Sequence, residues 1–388
     1  MYCSSHLYIG LCALLLTLSS GASVSQTLGS HFLVNEVYLT GADHEIEAVI
    51  QRVGDLSGPV FVSQEFVDAR SVAVSESASP YSKFQVHFGD QKAPLSAMKS
   101  GGRIGVEMRT VDKDLIIIER RGRDDFDSSM FRLINGQLLH EDHPEFSRAG
   151  GDAEQLADIR DNQDTLAAGT DYEVSLQELL GVRLDRAKVL TRFYSDMLAG
   201  VLVAGVVDGK KVVASVLWRK ENNTQITAVA ELREYAEKTT VTAKFLDAKG
   251  SAAIFSRKRP FARMTTEIVN QNLDLLWTET GRSVESNPPS ISAACSESYA
   301  VLVNQYEKDR STGKLVLNLL NKDGRIDDSL TIQVIDQGFA TEHWIAQASE
   351  NQLYVYANFR KKEKVLGSEG LVYFRSGYKI FGVNLMCD

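Results

Sequence analysis

The chain has 388 residues, 44% hydrophobic and 24% charged, with a formal net charge of −9. That is ample to bury a core and sits near the average for soluble globular proteins. An acidic chain repels phosphate backbones, which argues against a nucleic-acid partner.

The first predicted element is a targeting segment. Leu7 to Leu18 reads LYIGLCALLLTL, an apolar run of about 12 residues that fits a signal core and is too short to span a bilayer. Small residues follow at Ser19-Ser20-Gly21-Ala22-Ser23, so residues 1–25 are expected to be a signal peptide cleaved near residue 23 to 26. The segment before the core has no Lys or Arg, which leaves secreted and periplasmic destinations both open. No later segment is apolar for long enough to form a transmembrane helix. Nor does any Pro-rich or Gly/Ser-rich tract supply a linker, so residues 26–388 are expected to form one domain.

Strand-like runs then dominate. They include Val60–Val67, Phe84–Phe88, Leu115–Ile118, Val201–Val207, Val212–Trp218 and Thr239–Leu246, and later Tyr299–Val303, Leu315–Leu320, Leu353–Tyr356 and Tyr378–Leu385. They are short, β-branched or aromatic, and show period-2 character. Turn signals separate them: Gly89-Asp90, Asn135-Gly136, Asp208-Gly209, Lys249-Gly250, Asp323-Gly324 and Ser376-Gly377. Asn-Gly and Asp-Gly favour the primed turns that match strand twist, so they mark hairpins. Helical signal is confined to Asp152–Ile159 and Val174–Leu180, neither with an apolar stripe longer than two turns.

Several units share one form, in which a buried strand is followed by a second strand, a hairpin turn and a third strand ending in an aromatic residue or Leu. DLIIIERR…MFRLINGQLLH, AAIFSRKR…EIVNQNLDLLWTE and YAVLVNQY…LVLNLLNKDGRIDDSL are examples. Hairpins marked near residues 90, 136, 185, 230, 273, 324 and 377 repeat at steps of roughly 43 to 53 residues, within the range of propeller blades. Asp208-Gly209 falls out of phase with that series. These units resemble β-propeller proteins in general, of the quinoprotein-like or WD40-like kind, whose blades end Gly-x-x-x-Trp. Gly209 to Trp218 and Asn272 to Trp277 approximate that ending. The resemblance implies an all-β, propeller-like fold of roughly six or seven blades and transfers no catalytic residue. Paired β-sandwiches are the alternative architecture.

Candidate chemistry is sparse. After signal removal two cysteines remain, Cys295 and Cys387, an even pair expected to bridge in an oxidising compartment. Asn222-Asn223-Thr224 is a glycosylation acceptor pattern at Asn222. His140-Glu141-Asp142-His143 is one residue short of a zinc-protease motif. His140 and His143 are the weak metal candidates, read here as part of a polar loop. Asn321-Lys322-Asp323-Gly324 copies the centre of a calcium loop, but Leu319 and Leu330 stand where its flanking carboxylates belong, so a hairpin turn is expected. Arg257-Lys258-Arg259 and Arg120-Arg121-Gly122-Arg123 are the dense basic runs, read as solvated turns or strand edges. Trp218, Trp277 and Trp344 are read as core packing.

No nucleophile elbow, phosphate loop or dinucleotide fingerprint occurs, so no catalytic residue or cofactor is assigned. The expectation is an exported binding or interaction module whose partner is a protein or a glycan. An extracellular carbohydrate-active hydrolase or lyase and a structural scaffold are the alternatives.

Overall fold

The computed structural model describes residues 31–387 apart from 40–43, 51–57, 67–80, 90, 95–104, 112–113, 121–125, 135–136, 142–164, 168–172, 195–197, 223–224, 248, 283–286, 309 and 365–371. The targeting segment and His143 lie outside the described residues.

The chain enters as β1 (Phe32–Leu39). Six four-stranded antiparallel sheets account for nearly all of the described residues. Sheet I holds β2 (His44–Val49), β3 (Val60–Phe66), β4 (Tyr81–Phe88) and β5 (Gln91–Pro94). Sheet II holds β6 (Gly105–Val111), β7 (Asp114–Arg120), β8 (Phe126–Ile134) and β9 (Gln137–Glu141). A short pair, β10 (Thr165–Ala167) and β11 (Glu173–Ser175), and the helix α1 (Leu176–Leu180) precede sheet III. That sheet is β12 (Asp185–Tyr194), β13 (Leu198–Val207), β14 (Lys210–Asn222) and β15 (Gln225–Tyr235). Sheet IV is β16 (Thr240–Phe245), β17 (Ala252–Arg257), β18 (Thr265–Val269) and β19 (Leu275–Thr280). Sheet V is β20 (Ser290–Ala294), β21 (Ser298–Glu307), β22 (Arg310–Leu320) and β23 (Ile326–Gln333). Sheet VI takes β24 (Gly338–Ser349), β25 (Gln352–Lys364) and β26 (Val372–Leu385), and β1 completes it by pairing along β26.

Within a sheet, strand position explains composition. Middle strands are covered on both faces and read as continuous apolar runs, as in LAGVLVAGVV of β13. Fourth strands are edges and alternate. Ile326–Gln333 (IDDSLTIQ) buries Leu330 and Ile332 and exposes Asp327, a charge that discourages edge-to-edge pairing. First strands of neighbouring sheets touch, β2 with β6, β12 with β16 and β20 with β24, so the first strands are the inner ones.

Each apolar face is buried against the next sheet. Leu202 and Val213 of III meet Val241, Ile254 and Val269 of IV. Ala253 and Ile268 of IV meet Ile291 and Val301 of V. Leu302, Leu315 and Leu317 of V meet Ile345, Val355 and Phe381 of VI. Tyr356, Tyr378 and Ile380 of VI meet Ile46, Phe61 and Val86 of I. Sheets I and II touch through β2 and β6 and through β5 and β9. Sheets IV, V, VI and I therefore each pack between two neighbours, a radial succession rather than paired sandwiches. The fold is all-β and propeller-like, as the sequence resemblance implies.

The repeat is legible in the structure, with one shift of phase. The turn marks near 90, 136, 273 and 324 all join a third strand to a fourth. Asp208-Gly209 instead joins the second and third strands of sheet III, which is why it falls out of step. The marks at 185, 230 and 377 are not turns. They fall at the start of β12 and inside β15 and β26.

Candidate binding face

The two ends of the sheets are built differently. At the end where first strands finish, turns are closed by their own side chains. Asp247 Oδ1 accepts from the backbone N–H groups of Lys249 (2.8 Å) and Ser251 (3.0 Å). Asn270 Oδ1 does the same for Asn272 and Asp274, at 2.9 Å each. Asn321 Oδ1 accepts from Asp323 and Arg325, at 3.0 Å each. One device, an Asx side chain folding the next four residues over itself, thus serves three hairpins. In two of them the Asn amide also donates to a nearby carboxylate, Asp274 (3.0 Å) or Asp327 (2.9 Å). The calcium-like run is therefore the hairpin expected, with Asn321 and Asp327 bonded to each other. The Cys295–Cys387 disulfide ties the first turn of sheet V to the segment after β26 at this same end. Such a bond fits an oxidising compartment.

The opposite end, where first strands begin, carries a recess of about 860 Å³ between sheets V and VI. The β21–β22 hairpin and the β23–β24 connection form its walls, with Gln305, Tyr306, Ser311, Gly313, Lys314 and Asp336 among the lining residues. A bulge shapes it. The β21–β22 register slips between Asn304 and Tyr306, pushing Thr312 to Lys314 out of the ladder. The Gly313 carbonyl accepts from the N–H groups of Val334 (2.8 Å) and Ile335 (3.1 Å). A Cβ at Gly313 would collide with the Ile335 carbonyl, so only glycine permits this approach. Thr312 Oγ1 donates to the Gln305 carbonyl (2.9 Å), and Ser311 Oγ to that of Ala340 (2.8 Å). The lining is polar and mixed in charge: Lys308, Arg310 and Lys314 face Glu307 and Asp336, all of them exposed.

Two buried acceptors lie in the same V–VI junction. His343 donates through Nε2 to the Leu302 carbonyl (3.1 Å), and burial pushes its pKa down to about 4. That leaves Nδ1 as an acceptor without a hydrogen-bond partner, and Asn304 Oδ1, one residue from the lining Gln305, is in the same state.

At the VI–I junction Asn358 is fully buried. It accepts from Ile46 N–H (2.8 Å) and donates to the Ile46 carbonyl (2.8 Å) and Glu342 Oε2 (3.3 Å). The β24 register shifts between Ala340 and His343, and Asn287 Nδ2 donates to the Thr341 carbonyl there. Glu45 on β2 forms an ion pair with Arg360 at 3.9 Å. Glu45 of sheet I and Glu342 of sheet VI thus both border this junction, Glu45 through Arg360 and Glu342 through Asn358.

Other titratable groups serve packing. Ser63 Oγ and His87 Nε2 are 2.7 Å apart, yet both are buried and His87 stacks on Phe61. Burial, aided by the charges of Lys92 and His44, pulls His87 down to about 3. Arg233 and Tyr235 of sheet III clamp Glu267 of sheet IV, with Arg233 Nη2 at 2.8 Å and Tyr235 OH at 2.7 Å. Lys244 donates to the Ile291 carbonyl (2.7 Å), and burial lowers its pKa to about 8.

The sites foreseen in the sequence are scattered. His140 stands in the β9 ladder opposite Phe131, a strand position rather than the loop expected. Among the described residues no group of three or more His, Cys, Asp or Glu is placed to hold a metal. Asn222 ends β14 and pairs with Gln225 at the hairpin into β15. Trp218 is buried in sheet III, while Trp277 and Trp344 are partly buried against the IV–V and VI–I cores. No helix among the described residues is long and apolar enough to cross a membrane. The recess had no signal beyond Gly313 inside a strand pattern, a known mark of a bulge.

No family model and no curated protein matches the chain. Solved structures with some similarity include the Trypanosoma rangeli sialidase, at TM-score 0.38 and 10% identity, covering 87% of this chain and 55% of that one. This chain therefore spans about half the length of the sialidase. AofleA from Arthrobotrys oligospora matches at TM-score 0.34 and 9% identity, covering 91% and 92% of the two chains. The α-L-arabinofuranosidase PaAbf62A from Podospora anserina matches at TM-score 0.29 and 9% identity, covering 74% and 92%. At these values none of them lends this chain a residue, a ligand or an activity.

Proposed function

We propose that the chain is an exported binding module whose ligand surface is the recess face. The difference between the two ends carries this reading. One end is closed by three Asx turns and a disulfide, whereas the other presents a polar recess with exposed side chains of both charges. Polar recesses with a few fixed hydrogen-bonding groups suit ligands rich in hydroxyl and charged groups. The disulfide and the Leu7–Leu18 segment support a destination outside the cytosol, where Asn222 would be available for glycosylation in a eukaryotic host.

A glycan array tests the binding reading. Wild type should bind a restricted set of glycans, and Gln305→Trp, which crowds the recess mouth from an exposed position, should lose that set with unchanged melting temperature. An array without binders, or one on which both proteins give the same profile, overturns the reading. Export is tested separately: amino-terminal sequencing of secreted protein should begin between residues 23 and 27.

One observation favours a hydrolase as the second reading, namely that two carboxylates, Glu45 and Glu342, border the VI–I junction. Two carboxylates flanking a sugar could divide acid and nucleophile or base roles. Turnover of nitrophenyl glycosides that falls at least a hundredfold in both Glu45→Gln and Glu342→Gln would favour it over simple binding.

A further inference from the structure

We propose that the recess face binds a polyanionic glycan, a chain of sulfated or uronate sugars, across sheets IV to VI. This rests on the binding-module reading and names its ligand class.

Among the described residues of sheets IV to VI, basic side chains outnumber acids at the recess end. The β17–β18 hairpin emerges at the recess end and reads Arg257-Lys258-Arg259-Pro260-Phe261-Ala262-Arg263, with no acid among these residues. Lys258, Arg259 and Arg263 are exposed, and Phe261 stands at the tip, 85% exposed with φ 64°. On the other side of the recess, Lys361 and Arg375 are directly opposite each other across β25 and β26, next to Arg360, and all three are exposed. Between the two basic walls lies the recess, with Lys308, Arg310 and Lys314 against Glu307 and Asp336 in its lining. The far end of the same sheets is mixed but richer in acid, with Asp247, Glu297, Asp323, Asp327 and Glu350 on its turns. Among the described residues, sheets IV to VI therefore present a strip rich in basic side chains at this end, on a chain whose net charge is −9.

That pattern selects among polyanions. A lipid surface is flat and rewards apolar insertion, but Phe261 is the one large apolar side chain exposed on this strip among the described residues. Duplex nucleic acid is rigid and wide, and its phosphates would meet Glu307 and Asp336 on a chain of net negative charge. A single glycan chain is narrow enough to follow the strip alone. Its hydroxyls suit Gln305, Ser311 and Tyr306, and the Phe261 ring offers a sugar an apolar face. If export holds, acidic glycans are also the polyanions the protein meets.

The test uses the full mature chain and calorimetric titration. The probes are a heparin-derived octasaccharide, a galacturonate octasaccharide, a neutral dextran octasaccharide, phosphatidylserine/phosphatidylcholine vesicles and a 20-nucleotide DNA duplex. At least one acidic glycan should bind, with affinity falling on the order of tenfold or more between 50 and 300 mM salt as counterions compete. The Arg257→Ser/Lys258→Ser/Arg259→Ser/Arg263→Ser variant should lose at least tenfold and show a shallower salt dependence. Lys361→Ser/Arg375→Ser, on the other wall, should do the same and serves if the hairpin variant fails to fold. Absence of acidic-glycan binding, tighter binding to vesicles or duplex, or unchanged affinity in either folded variant overturns the proposal. If dextran alone binds and Gln305→Trp abolishes that, the proposal falls while the binding-module reading stands.

Discussion

Asn358 is a side chain acting as a piece of backbone. Its amide supplies both the acceptor and the donor that Ile46 needs, across the junction between the last sheet and the first. Removing it leaves two buried peptide groups unpaired, at a cost of about 1–3 kcal/mol for each. Asn358→Leu should therefore lose roughly 2–5 kcal/mol in urea unfolding, and a loss below about 1 kcal/mol would deny Asn358 this role. The buried histidines set the acid limit. His87 and His343 hold protons more weakly in the fold, at about 3 and about 4, than at the ordinary value of 6.5. As pH falls below 6.5 the unfolded chain takes up protons first, so stability present above that value drains away toward pH 4 and 3. Each ring contributes a slope of about 1.4 kcal/mol per pH unit inside its window. In His343→Gln the fall of stability between pH 6.5 and 4 should be measurably shallower than in wild type. An unchanged slope would mean that His343 is not buried as a neutral ring.

At the scale of elements, what was legible depended on whether the signal was local. Middle strands such as β13 and the hairpin at Asp323-Gly324 were readable because apolar runs and Asx-Gly pairs act within a few residues. The third-to-fourth turn of sheet III carries no such pair. It falls at the Asn222–Gln225 hairpin, so the series lost its phase there and Asp208-Gly209 seemed out of place. The closure of sheet VI by β1 was not legible, since it joins residues more than three hundred positions apart. The recess depends on a bulge and on packing between two sheets, which strand periodicity does not encode. Cysteine parity did foretell the bridge. Its 92-residue separation implies roughly 4–5 kcal/mol in the chain-entropy account. Cys295→Ser/Cys387→Ser should lose that much and speed amide exchange near Leu385, whose N–H donates to the Asn351 carbonyl at 2.7 Å. Wild-type exchange at Leu385 would contradict the view that the bridge anchors the end of β26.

At the scale of the molecule, closure and polarity work together. Pairing β1 with β26 makes β1 the outer strand of sheet VI, and it binds the first described strand to the last. The resulting radial array has two unlike ends, one sewn shut by turns and a disulfide, the other recessed and flanked by basic hairpins. On the binding reading, ligand sits at the second end. Hydrogen–deuterium exchange with and without a bound acidic octasaccharide tests it most directly. New protection is expected at residues 257–264, 305–314, 333–338 and 372–376, with none at 246–251, 270–274 or 321–325. Protection at the turn end instead, or no change anywhere with ligand bound, would contradict it.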